Sequence, residues 1–194
     1  HCYLLRCDSK KMWLWAVSDG QQELLKEYKL REPVDPVSHR SSEYDRVVSY
    51  WLTVLDIDLV HIRHMGWQSL SLPEIARRQG RAVVMSFHDF YTLCPTVKLL
   101  DNEMTFCGGN CTACPGDCKV EFWPKDSLPP LKNKWVHVWR QRFSHALAGC
   151  DAFVTTSDSA HQRILQYLPN LAKDRFQVIP HGRSFTKMTT IRHK

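Results

Sequence analysis

The chain has 194 residues, enough for one ordinary domain with a real core. Hydrophobic residues make up 43% and charged residues 24%, the balance of a soluble globular domain, and no apolar run approaches the roughly 20 residues of a bilayer-spanning helix. A net charge of +6 suits phosphate-bearing ligands, an anionic membrane surface or nucleic acid without choosing among them, and a solvated basic surface is the ordinary explanation.

The chain opens on His1 without a basic stretch ahead of an apolar one, so no secretory leader is readable. Lacking an initiator Met, it is expected to be part of a longer protein. Tyr3–Leu5, Met12–Val17 and Glu23–Leu30 read as short strands, separated by the polar turns Asp8–Lys11 and Ser18–Gly20. Residues 1–32 are therefore expected to form a β-meander, which ends where Pro33 and Pro36 interrupt regular structure.

From Glu43 the period changes. Val47, Val48, Trp51, Leu52 and Leu55 define an apolar helical face. A short buried strand is expected at Asp58–Ile62, then a helix over 68–79 stopped by Gly80, then a buried strand at Ala82–Phe87. A cysteine-rich excursion follows, and after it a long helix over Lys132–Leu147. The last elements are a strand at Asp151–Thr155, a helix at Asp158–Leu168 and a strand at Phe176–Ile179. Strands alternating with helices, and reading as apolar runs rather than alternating ones, predict an α/β fold. It is a Rossmann-like parallel sheet with helices on both faces, preceded by the meander. The expected division is 1–32, 33–184 with a cysteine-rich loop at 94–118, and 185–194 as a tail or the start of a linker.

Open parallel sheets bind ligands beyond the C-terminal ends of their strands. Here each strand runs into polar residues: His61, Arg63 and His64 after the first, His88-Asp89-Phe90-Tyr91 after the second. Thr155, Thr156 and Ser157 follow the third, and His181-Gly182-Arg183 the fourth. A lone strand-end histidine is more often bland than functional. Four polar strand ends on one sheet edge point to one cleft.

Four segments carry a more specific signal. Asp58-Leu59-Val60-His61, Ser86 through Pro95, Cys150 through Ser157, and Val178-Ile179-Pro180-His181-Gly182 resemble, in order and spacing, the N-terminal domain of family-4 (group 1) glycosyltransferases. The likeness spans about residues 43–184. It implies the acceptor-side half of a two-Rossmann-domain (GT-B) enzyme that moves a sugar, with retention, from a nucleotide-sugar donor to a glycan or lipid-linked acceptor, without a metal for the chemistry. By that resemblance His88 is the catalytic histidine facing the donor sugar, where an imidazole can hydrogen-bond a hydroxyl or developing charge. His61, Arg63, Asp89, Ser157 and His181 are candidate substrate-binding residues, and Pro180-His181-Gly182 matches the interdomain hinge. The chain departs from the family in opening with the meander instead of a strand and Gly-rich phosphate loop. It also lacks the Glu-x7-Glu element of the donor domain, so the isolated chain is expected to be inactive.

Five of the eight cysteines fall in one stretch. Cys107, Cys111, Cys114 and Cys118 lie within twelve residues, with Cys94 thirteen residues upstream. In a chain without secretory features, such clustering favours metal or reduced thiols over disulfides, and a cytoplasmic compartment. A structural zinc on Cys107, Cys111, Cys114 and Cys118 is the leading reading, against reduced thiols in a loose loop. The spacing of the first three also occurs in radical S-adenosylmethionine enzymes, but Ala113 stands where those carry an aromatic, and Cys118 would be surplus. Between Lys132 and Phe143, basic residues interleave with Trp135 and Trp139. A helix of this kind can lie on the inner face of a membrane, although packing of the tryptophans onto the sheet is the commoner outcome. The alternative function is a four-cysteine metal-binding interaction module without catalysis, one that could contact nucleic acid. For the leading reading, nucleic acid is not the expected partner.

Overall fold

The computed structural model describes residues 1–111, 118–120, 122–124, 127–130, 132–180 and 182. Strands β1 (Cys2–Cys7), β2 (Lys11–Ser18) and β3 (Gln21–Lys29) form an antiparallel sheet in that order. Asp8 closes the first turn, its Oδ1 accepting the amides of Lys10 and Lys11 at 2.9 and 2.7 Å. The second turn is Asp19-Gly20, both at positive φ, the two-residue geometry whose twist matches the flanking strands. Register sets Cys7 opposite Met12 and Leu5 opposite Leu14. That places Cys7, Met12 and Leu14 in the same core as the rest of the molecule.

Helix α1 (Ser42–Val54) starts at Ser41, whose Oγ accepts Tyr44 N at 3.2 Å. It buries Tyr44, Val48, Trp51 and Leu52. Its Glu43, 3% exposed, accepts the amides of Arg31 and Glu32 at 2.6 and 2.9 Å and the Tyr28 hydroxyl at 2.9 Å. These donors, the Glu32 amide foremost, hold the carboxylate below its ordinary pKa against the opposing pull of burial. One buried charge thus ties the meander, the turn after it and the first helix together.

Four parallel strands follow in the order β4 (Leu59–Ile62), β5 (Ala82–Phe87), β6 (Ala152–Thr155) and β7 (Phe176–Val178). Helices α2 (Leu72–Arg78), α3 (Asn133–Leu147) and α4 (Asp158–Tyr167) connect them. This is the α/β Rossmann-like arrangement expected, with the meander in front. Its cover is uneven among the described residues. The strands lie in sequential order, for which right-handed crossovers are the rule and bring the connecting helices to one side; on the face that α4 meets, Ile62, Val83, Met85, Phe87, Phe153 and Phe176 are buried. Phe87, Phe153 and Phe176 stack there, and the His161 ring of α4 lies 4.7 Å from Phe176. The other face carries Leu59, His61, Ala82, Val84, Ala152, Val154 and Gln177, all exposed or half-buried, together with the buried Ser86.

Two boundaries differ from expectation. The helix predicted over 68–79 begins only at Leu72, because Gln68 is engaged elsewhere: its carbonyl lies 2.7 Å from His39 Nδ1 and its Oε1 accepts the Tyr44 hydroxyl at 2.5 Å. Tertiary bonds override helix propensity there. β4 is an edge strand rather than a buried one, with Leu59 52% exposed. Gly80 does follow the helix, at φ +75.

Candidate functional site

Parallel pairing sets the predicted strand ends side by side. His61 is opposite Val84, so His61, Arg63 and His64 leave β4 beside Ser86, His88 and Asp89 of β5. Phe87 is opposite Thr155, so Ser157 follows on the next strand. His61 is exposed, and its Nε2 lies 2.7 Å from the buried Ser86 hydroxyl. Partial burial first, and then the Arg63 charge, lower the His61 pKa, so this ring is a neutral hydrogen-bonding group at neutral pH. Arg63 and His88 are exposed at the same edge. Ser157 caps α4, its Oγ accepting Ala160 N at 3.2 Å and lying 3.1 Å from Ser159 Oγ. His181 lies outside the described residues.

Asp89 is the best-held member of the group. Burial pushes its pKa up, but the His64 imidazole and the Tyr91 amide, which donates to Oδ1 at 2.8 Å, outweigh it and leave the carboxyl below its ordinary value. His64 Nε2 lies 3.2 Å from Asp89 Oδ2, at an angle that makes the contact electrostatic rather than a straight hydrogen bond. The other ring nitrogen, Nδ1, accepts Gly66 N at 2.8 Å, which puts the ring proton on Nε2, facing the carboxylate. With both nitrogens committed, His64 orients Asp89 and is not a free base. The ring fits only because residue 66 has no side chain: a Cβ there would come within 2.6 Å of it.

Behind this edge lies a buried polar chain that local sequence gives no sign of. His39 Nδ1 donates to Gln68 O, and its Nε2 accepts the Tyr91 hydroxyl at 2.7 Å. That oxygen in turn accepts Trp123 Nε1 at 2.8 Å. Burial holds the His39 pKa down to about 4, so the ring is neutral and the chain is fully paired. Tyr91 also accepts Trp139 Nε1 on its backbone carbonyl at 2.8 Å. The residues carrying His88 and Asp89 are thereby locked to the linker and to α3. Strand-end position was the signal available for His64, whereas His39 sits in a Pro-containing linker and offered none.

A profile described as Glycosyltransferase Family 4 matches residues 16–185. The chain belongs to glycosyltransferase family 4. No curated protein matches it. The matched span contains every described candidate residue of this glycosyltransferase domain, and it is consistent with the N-terminal domain of a GT-B enzyme.

Of the cysteine loop of the glycosyltransferase domain, the described residues Gly108 and Gly109 pack against α3 and α4. Arg140 donates to Leu93 O at 2.9 Å and to Gly109 O at 2.6 Å, and its guanidinium lies 4.0 Å from the centre of the Tyr167 ring. Arg163 reaches Gly108 O at 3.2 Å. Cys107 Sγ donates to Leu99 O at 3.1 Å, and Cys111 Sγ lies 3.7 Å from Gly109 O. Cys118 is half-buried, and Cys114 lies outside the described residues. Among the described residues no three His, Cys, Asp or Glu side chains converge as metal ligands.

In α3, Trp139 is buried with Val136 and Phe143, and Trp135 is half-buried beneath Arg142. Its apolar face serves the core, so it lends no support to membrane contact. No helix among the described residues is long and apolar enough to cross a membrane. A shallow concavity of about 740 Å³ between α1 and α2, lined by residues such as Arg40, Asp45, Glu74 and Arg78, includes none of the strand-end residues.

Proposed function

We propose that this glycosyltransferase domain is the acceptor-binding half of a retaining, hexosyltransferase-type enzyme that uses a nucleotide-sugar donor and a glycan or lipid-linked acceptor. What supports the reading is the meeting of His61, Arg63, His88, Asp89 and Ser157 at adjacent strand ends within the matched span. In this reading His88, exposed beside a fixed Asp89, lines the transfer cleft and hydrogen-bonds the sugar or the charge that develops as the bond to the leaving group breaks. Asp89 and His61 orient hydroxyls, and His181 lies at the hinge to the donor domain. The protein works in the cytoplasm, at the inner face of a membrane when its acceptor is lipid-linked.

The experiment is transfer by the longer parent protein from a panel of nucleotide sugars. His88→Ala is expected to lower the rate about a hundredfold. A variant as fast as the parent would refute the assignment of His88. The 194-residue chain alone is expected to turn over none of the donors. A structural zinc held by the cysteine loop remains part of the proposal, and metal analysis of the purified chain tests it: one equivalent of zinc supports it and none refutes it.

A further inference from the structure

The concavity between α1 and α2 is built from the polar faces of both helices. Asp45, Arg46, Ser49, Tyr50 and Thr53 share one side of α1, and its buried residues Tyr44, Val48, Trp51 and Leu52 share the opposite side. Glu74 and Arg78 line the concavity from α2. Gln79, at the end of α2, fixes the two walls to each other. Its Nε2 donates to Ser49 O at 3.0 Å and to Ser49 Oγ at 2.7 Å, and its Oε1 accepts the Thr53 hydroxyl at 3.2 Å. At the other end of α1, Arg40 follows the buried and fully bonded His39, and the Arg40 carbonyl accepts Asp35 N at 3.0 Å. The groove is therefore anchored at both ends, and its volume of about 740 Å³ falls within the range of small-molecule sites.

Its charges are not all matched. Arg78 is paired with Glu74 at 2.6 Å. Arg40 and Arg46, both exposed, have no hydrogen-bond, ion-pair or ring partner among the described residues. Two unpaired guanidinium groups thus share the groove with one half-buried carboxylate, Asp45. Beside them Tyr50 is 64% exposed, a large ring that the core does not use. A single unpaired arginine on a helix is an ordinary solvated charge. Two of them lining one anchored groove, next to an exposed ring, form a more specific arrangement. A guanidinium fork matches a carboxylate or phosphate through two parallel hydrogen bonds. The tyrosine ring offers a flat surface with a negative face to the C–H side of a sugar ring, and Asp45 offers an acceptor to a hydroxyl. An acidic peptide would supply the charge without the flat, hydroxylated ring.

We propose that the groove between α1 and α2 binds a saccharide carrying a negative group, with Arg40 and Arg46 on the anion and Tyr50 against the sugar ring. It contains none of the strand-end residues, so it is a second glycan contact on the same domain and goes beyond the transfer cleft. The negative group could be the carboxylate of a uronic acid or a phosphate ester, and the test separates the two.

The test is calorimetric titration of the 194-residue chain at low ionic strength with trigalacturonate, glucose 1-phosphate, maltotriose and inorganic phosphate. Trigalacturonate or glucose 1-phosphate is expected to bind more tightly than the neutral sugar or the bare anion, and the tighter of the two assigns the negative group. Arg40→Gln combined with Arg46→Gln is expected to weaken that binding about tenfold or more, as loss of charge-assisted hydrogen bonds requires. Tyr50→Ala is expected to weaken it about threefold or more. All three side chains are exposed, and circular dichroism matched to the parent establishes that the variants fold. Affinity unchanged in the double arginine variant overturns the proposal, because the ligand then sits elsewhere. Absence of binding by the parent at millimolar ligand also overturns it, and inorganic phosphate bound as tightly as either acidic sugar overturns it in favour of a bare anion site. These readouts are binding constants at residues outside the strand ends, so they stand apart from the His88→Ala transfer rate and either result can fail alone.

Discussion

His39 should make this domain acid-sensitive in a way that one substitution removes. Its ring is enclosed by Tyr91, Trp123, Trp139 and Phe143, with ring centres 5.5–5.8 Å away, and its Nε2 accepts the Tyr91 hydroxyl. Burial lowers its pKa from 6.5 to about 4. Below pH 6.5 the unfolded chain takes up a proton at this position that the folded chain refuses, so stability is complete above 6.5 and drains away as pH falls towards 4. The whole loss from this one group is about 3 kcal/mol. His39→Asn keeps a donor for Gln68 O and tolerates the left-handed backbone at φ +59, but it does not titrate. It should lower stability at pH 7 by about 1–3 kcal/mol, since the Tyr91 hydroxyl loses its acceptor. Urea unfolding at steps between pH 7 and pH 4 would follow both proteins. The parent should lose stability more steeply than the variant across this window, and carboxylates common to both cancel in the difference. Parallel curves would show that His39 is not held neutral in the fold, and the account of the buried polar chain would fall with that.

Two further substitutions test other parts of the structure. Gly66→Ala should drive the His64 ring off Asp89, so the Asp89 carboxyl, followed by carbon-detected NMR, should titrate at a higher pH than in the parent; an unchanged titration would mean that His64 does not set it. Gly109 sits at φ +87 with Tyr167 only 2.8 Å from where a Cβ would lie. Gly109→Ala should therefore cost about 1–3 kcal/mol and hasten proteolysis within the cysteine loop, and a wild-type melting temperature would contradict the packing described.

The parallel layer was readable because its strands are short apolar runs bounded by turns, and Asp58–Ile62, Ala82–Phe87 and Asp151–Thr155 each became one. What the runs did not carry was position in the sheet: Leu59 looks as buried as Val83 in sequence, and only the strand order makes it an edge residue. The start of α2 was missed for a related reason. Gln68 has good helix propensity, but bonds to residues 24 and 29 positions away claim it. Among the site residues, those at strand ends were legible because the fold guarantees their neighbourhood. His39 and Trp123 were not, since they meet Tyr91 across 52 and 32 residues.

The buried carboxylate of Glu43 has a consequence for anyone who trims this protein. It gathers Tyr28 from β3, the two amides that follow and the start of α1 around a single charge, while Cys7, Met12 and Leu14 close over the common core. Cutting away residues 1–32 would strip that charge of its donors in place. The meander and the α/β layer should therefore melt in one step, and a protease should find no stable fragment that begins after β3.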